Sequence, residues 1–337
     1  MIPKTFSQIA AYSFLIFLCA NLFPISTFAS DGHNKIVGPE ECIDCHKRSN
    51  EVWVKTPHYT TFKEMSRTEE ARDIASKLNI NRIKSESTCV QCHYTTKSVE
   101  NEKKAIAGIS CESCHGAGRD YVDIHGDYGG KDVKKENETP EHKKQRIAKS
   151  EKAGMIRPAN LYALAENCYS CHTVPNEELV NVGGHNTGSK FELVAWSQGM
   201  VRHNNWFTPT NDESPLERRR MMYLVGKMVE MEFALRGLAN ATQKAEYAKA
   251  FVFRYKTALD GLKEISALDS NISAINAVIK EAQTAPVKLN EKGTLTQVAN
   301  KISSIAKSFA SQEDGSKFGA IDSLLPAPSA YKGKVHP

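Results

Sequence analysis

Four short runs carry the chemistry of this chain: Cys42-Ile43-Asp44-Cys45-His46, Cys89-Val90-Gln91-Cys92-His93, Cys111-Glu112-Ser113-Cys114-His115 and Cys168-Tyr169-Ser170-Cys171-His172. Each reads C-x-x-C-H, the attachment signature of c-type haem. Two thiols three positions apart share one side of a helical turn, where they can add to the two vinyl groups of one porphyrin. The adjacent imidazole then meets the iron from the proximal side. The motifs therefore predict four haem c, tethered by Cys42 and Cys45, Cys89 and Cys92, Cys111 and Cys114, and Cys168 and Cys171, with His46, His93, His115 and His172 as proximal ligands.

Other chemistries use C-x-x-C and fit less well. Zinc sites pair such motifs but do not require His after every second Cys. With 11 His in 337 residues, four such coincidences have odds on the order of one in a million. A disulfide across C-x-x-C closes a tight loop suited to redox work rather than stapling, and thioredoxin-like chemistry needs one motif, not four.

Seven histidines lie outside the motifs: His33, His58, His125, His142, His185, His203 and His336. On a protein with four irons, each gains a claim as a sixth ligand. His58 follows Trp53-Val-Lys-Thr-Pro, His125 ends Gly116-Ala-Gly-Arg-Asp-Tyr-Val-Asp-Ile-His, and His185 and His203 follow the fourth motif. His142 sits in a charged run, and His33 and His336 lie near the chain ends, so these three read as surface residues. Met also serves as a sixth ligand and raises the potential of its iron, but four of the 8 Met fall at helical spacing in the C-terminal part and read as core.

The run Gly108-Ile-Ser-Cys111-Glu-Ser-Cys114-His115-Gly-Ala-Gly-Arg-Asp-Tyr121, with His125 beyond it, closely resembles the third haem region of the cytochrome c-554 family, tetrahaem electron carriers of ammonia oxidisers. The first motif, with Trp53 and His58 at their offsets, is similar too, and the resemblance covers roughly residues 38 to 205. It implies bis-His ligation at three haems, an open iron at the second, and cross-ligation, in which a His near one motif caps another haem. On this pattern His125 caps the haem of His46, His58 that of His115, and His203, or as second choice His185, that of His172. Here both His185 and His203 follow the fourth motif. That departure makes His185 the candidate on the haem of His93, and six-coordination at all four irons the expectation.

The elements that must hold these groups are read next. Residues 1–29 have a positive start, an apolar run from Ile9 to Phe23 and small residues at Ala29 and Ser30, the pattern of a cleaved signal peptide. A retained membrane anchor would need a longer run, and Ile16-Phe17-Leu18 before Cys19 lacks the small residue of a lipoprotein site. Export places the protein in the periplasm or outside the cell, with membrane association not required. Residues 30–210 read as a loop-rich tetrahaem domain, in which the porphyrins supply much of the apolar core.

Residues 211–310 change character. Ser214-Pro215-Leu216-Glu217 predicts a capped helix start. Leu224, Met228, Met231, Leu235 and Leu238 form one helical stripe; Tyr255, Leu259, Leu262 and Ile265 a second, continued past a break by Ile272, Ile275 and Ile279; and Leu295, Val298, Ile302, Ile305 and Phe309 another. This is a bundle of three or four helices with no chemistry of its own, through which an oligomer can form. Residues 311–337 read as a tail. The fold class is thus mainly α, a loop-rich multihaem cytochrome core with a C-terminal helical bundle and little or no sheet.

The 40% hydrophobic content excludes both a polytopic membrane protein and a disordered chain. A net charge of +5 makes no case for nucleic acid. The charged stretch 131–152 reads as a solvated excursion or as a basic docking face for an acidic redox partner; a comparable stretch follows the third haem in the resembling family. The leading reading is an exported tetrahaem electron carrier, more a carrier than a catalyst. Two others remain: a small-molecule oxidoreductase of nitrogen oxide or hydroxylamine type, working at a five-coordinate haem of His93 with Tyr94 and Arg119 as weak acid–base candidates, and a subunit of a multi-cytochrome assembly.

Overall fold

The structure is a computed structural model and describes residues 34–100, 102–206 and 210–336. The expected signal peptide and His33 lie outside the described residues. The first half is a succession of short helices: α1 (Pro39–Ile43), α2 (Lys47–Trp53), α3 (Pro57–Glu64), α4 (Glu69–Lys77) and α5 (Ser87–His93). A hairpin follows, β1 (Thr95–Val99) and β2 (Glu102–Ala107), antiparallel with Thr96 opposite Ala105 and Val99 opposite Glu102. It is the only sheet among the described residues. Next come α6 (Cys111–His115), α7 (Val122–His125), α8 (Pro140–Lys152), α9 (Leu161–His172), α10 (Glu177–Asn181) and α11 (Leu193–Ser197).

These helices start where short polar side chains can take an orphan backbone N–H. Thr56 and Thr139 do so ahead of Pro57 and Pro140, which open α3 and α8. Thr68 caps α4 and Asn160 caps α9 in the same way.

The second half is a four-helix bundle of α12 (Leu216–Asn240), α13 (Glu246–Leu268), α14 (Ser273–Gln283) and α15 (Lys292–Gln312). The stripes expected for it lie on these helices, with the break between the Ile265 and Ile272 groups falling at the α13–α14 connection. α12 is enclosed on every side: Leu224, Val225, Met228, Val229, Met231, Ala234 and Leu235 have no exposed surface. Gly237 lets α13 close against it, because a Cβ there would meet the Phe251 ring at 2.0 Å. The expected Ser214 cap is one residue too early. α12 begins at Leu216 after an extended Pro215, and the Ser214 N–H goes instead to Gln198 Oε1.

Two expected boundaries dissolve in the packing. Leu161, Tyr162, Ala165 and Tyr169 of α9 and Leu193 and Val194 of α11 share one apolar cluster with the bundle, so the core runs straight across residue 210. Residues 311–336 are not a loose tail. Phe318 and Ile321 are buried, Arg220 pairs with Asp322 at 2.6 Å, and Lys332 exchanges backbone hydrogen bonds with Ala195 and Met200. No helix among the described residues is long and apolar enough to cross a membrane.

Candidate haem-binding site

Each C-x-x-C-H run sits at or beside a helical turn. Motifs two, three and four end α5, α6 and α9 on their His. The first spans the end of α1, where the His46 N–H closes a turn onto the Cys42 carbonyl at 2.9 Å. This is the local geometry the spacing predicts, with thiols i and i+3 on one side and the imidazole leading out of the turn.

The tertiary structure then sets eight histidines in four facing pairs. His46 faces His125 with ring centroids 6.1 Å apart, His93 faces His185 at 6.2 Å, His115 faces His203 at 6.1 Å, and His172 faces His58 at 6.3 Å. Two metal–nitrogen bonds of about 2 Å laid end to end, with the two ring radii, account for a separation of this order. Every pair joins one motif His to one His outside the motifs.

The ring nitrogens are oriented for the same task. Nδ1 of His115 lies 3.0 Å from the Ile156 carbonyl, that of His125 2.7 Å from Val122, that of His185 2.9 Å from Asn186 and that of His203 2.8 Å from Val201. Nδ1 of His172 lies 3.1 Å from the Ser189 hydroxyl. With Nδ1–H donating to these oxygens, Nε2 keeps its lone pair for a metal. Burial holds His93 and His172 down to about 4 and lowers His46, His58 and His115, so these rings are neutral at ordinary pH, as ligation requires. The residues present therefore fit four bis-His haems. Among the described residues no three His, Cys, Asp or Glu side chains converge as a zinc-type cluster.

Two of the expected pairings differ. His58, assigned to the third motif, faces the fourth; His203, assigned to the fourth, faces the third. His58 is on α3, whose carbonyl at that residue accepts the Ile109 N–H at 2.9 Å, so its backbone does neighbour the third motif. Its ring nevertheless projects toward α9. After α11 the chain turns back toward the first motif, where Asn205 donates to the Arg48 carbonyl at 3.3 Å, and this return carries His203 to His115. The rings of His125 and His46, and those of His185 and His93, also face each other.

The motifs also touch one another. The Cys42 thiol lies against that of Cys111, and the Cys92 thiol against that of Cys171. Cys114 is half-buried beside Cys171, and burial pushes its thiol up to about 12. Asn167 of α9 donates to the Ser113 carbonyl of α6 at 2.6 Å. The spatial order is thus second, fourth, third, first.

Several residues that sequence reasoning missed hold this array. Arg146, inside the charged stretch, is largely buried. It pairs with Glu138 at 2.6 Å and donates to the His125 carbonyl at 2.7 Å. Its guanidinium holds the Glu138 carboxyl down to about 2. Glu112 takes the backbone N–H groups of Val37, Gly38 and Gly118, tying the N-terminal segment to the third motif. His142 is half-buried against Glu138 at 2.8 Å, and His336 lies outside the four pairs. Of the acid–base candidates, Tyr94 is buried with Lys84 over its ring, and Arg119 is exposed; they do not form a joint site.

Residues 41–116 match the family model described as cytochrome c554 and c-prime. The chain is 27% identical to cytochrome c-554 of Nitrosomonas europaea over 146 residues, which is 40% of this chain and 56% of that protein. It thus spans about half the length of the relative it matches. No solved structure matches the chain.

Proposed function

We propose that this chain is an exported tetrahaem electron carrier of the cytochrome c-554 family, with bis-His iron at all four haems. The observation that carries this reading is the set of four His–His pairs at 6.1–6.3 Å. Cys42 and Cys45, Cys89 and Cys92, Cys111 and Cys114, and Cys168 and Cys171 hold the porphyrins. His46 with His125, His93 with His185, His115 with His203, and His172 with His58 supply the axial nitrogens. Bound haem supplies a one-electron couple at each site. The protein's part is to hold both imidazoles fixed, so that little reorganises when the charge changes, and to set each potential through burial and hydrogen bonds.

The contacts between motifs support a row in which electrons pass among the sites of His93, His172, His115 and His46 in that order. At the His46 end, α8 presents Lys143, Lys144, Lys149 and Lys152 to solvent while Arg146 on the same helix grips His125. A basic face over a terminal haem suits an acidic redox partner, whose attraction speeds encounter. The leader at residues 1–29 supports delivery to the periplasm, where haem attachment would take place.

Electron paramagnetic resonance of the oxidised, haem-loaded protein tests the reading. Four low-spin ferric signals are expected. One stoichiometric high-spin iron would overturn six-coordination and move small-molecule chemistry at the haem of His93 to the front.

A further inference from the structure

The bundle, expected to carry no chemistry, reaches the fourth haem site through one residue. Arg254 of α13 is mostly buried. Its Nη1 lies 3.4 Å from Glu230 Oε1 of α12, and its Nη2 donates to the Ser189 carbonyl at 3.0 Å. Ser189 is clipped to the fourth motif twice more, because its N–H donates to the His172 carbonyl at 3.1 Å and its hydroxyl lies 3.1 Å from His172 Nδ1. The clip needs the glycine before it: Gly188 has φ +93°, and a Cβ there would meet the His172 carbonyl at 2.7 Å. Phe191 and Trp196 wall the same imidazole with ring centroids at 4.6 and 4.9 Å.

From this geometry we infer that the helical bundle is the tuning element of the fourth haem, with Arg254 and Ser189 as positioning residues: Arg254 raises its potential, and Ser189, a weaker acceptor than a peptide carbonyl, lowers it less than the Ile156 carbonyl lowers that of the third. The inference rests on the haem reading of His172. His115 gives its Nδ1–H to a peptide carbonyl, a good acceptor that pushes electron density through the ring to the iron and favours the oxidised form. His172 meets a neutral hydroxyl, a weaker acceptor, so less density is pushed. A buried guanidinium one residue away favours whichever state of the site carries the extra electron. Glu230 offsets part of that field but is itself shared with Lys227 at 3.5 Å. In the row proposed above, the fourth haem lies between the second and third, so an electron arriving from the third would rest there.

The test is a spectroelectrochemical titration of the haem-loaded full chain, with haem counted by mass. Arg254→Met should lower one of four midpoints by a threefold to tenfold change in its one-electron equilibrium, about 30–60 mV at 59 mV per decade, leaving the other three and the low-spin signals in place. Arg254→Lys, which keeps the charge, should restore most of the shift. Ser189→Ala should move the same midpoint upward, since the imidazole N–H loses its acceptor. If Arg254→Met does not fold, Ser189→Ala decides, because it deletes one hydroxyl. Four unchanged midpoints with four haems bound would overturn the inference and leave the carrier reading standing. A wild-type protein with no haem on the Cys168–Cys171 motif would overturn the reading beneath it.

Discussion

The rings of His58 and His172 stand 6.3 Å apart, one on a short helix in the first half of the chain and the other at the end of α9, which packs on the bundle. A group bridging them ties the first segment to the last motif. His125 with His46 and His203 with His115 tie further separated segments in the same way. The early segments carry few buried apolar side chains of their own, so on the proposed ligation such bridges would substitute for a core and couple cofactor binding to folding.

Replacing His58 by Met should raise the potential of the fourth haem by more than tenfold in its equilibrium, over about 60 mV, since thioether ligation favours the reduced iron. His125→Met should do the same at the first haem. Haem content should stay at four in both. Redox titration that found the third haem moved by His58→Met would contradict the pairing seen here.

Arg146 holds both Glu138 and the His125 carbonyl. Arg146→Ala frees the segment that carries His125, so one haem should gain high-spin character, visible in its optical and resonance spectra. The other three should keep their low-spin signatures.

Acid should loosen the same corner. The Glu138 carboxyl is lowered from 4.5 to about 2 by Arg146. A lowered folded value means the contribution is full above 4.5 and fades as pH falls toward 2. The Tm advantage of the wild type over Glu138→Gln should therefore be constant at neutral pH and shrink across that window, as differential scanning calorimetry would record.

Gly237→Ala sets two effects against each other. Helix propensity favours Ala by about 1 kcal/mol, but the new methyl would strike the Phe251 ring, which is 1% exposed and has nowhere to go. Overpacking of this kind costs about 1–3 kcal/mol, so the sum should be a net loss of about 1 kcal/mol, read from denaturant unfolding of the loaded protein.

The proposed attachment sites are read from the sequence because their chemistry is local: two thiols and an imidazole within five residues need only one helical turn to converge. The bundle was legible for a similar reason, since Leu224, Met228, Met231 and Leu235 repeat with the period of the helix they form. Which His faces which was not legible. His58 neighbours the third motif through its backbone and faces the fourth through its ring, and only the packing of α3 against its surroundings sets that direction. The same holds for Arg146 and Arg254. In the sequence each is one charge among many; in the fold the first grips the carbonyl of His125 and the second the carbonyl beside His172. Spacing along a chain determines what a segment can bind by itself. Contacts between segments that meet only after folding carry no periodic or compositional mark, so tertiary structure alone decided which imidazoles face each other and which residues stand beside them.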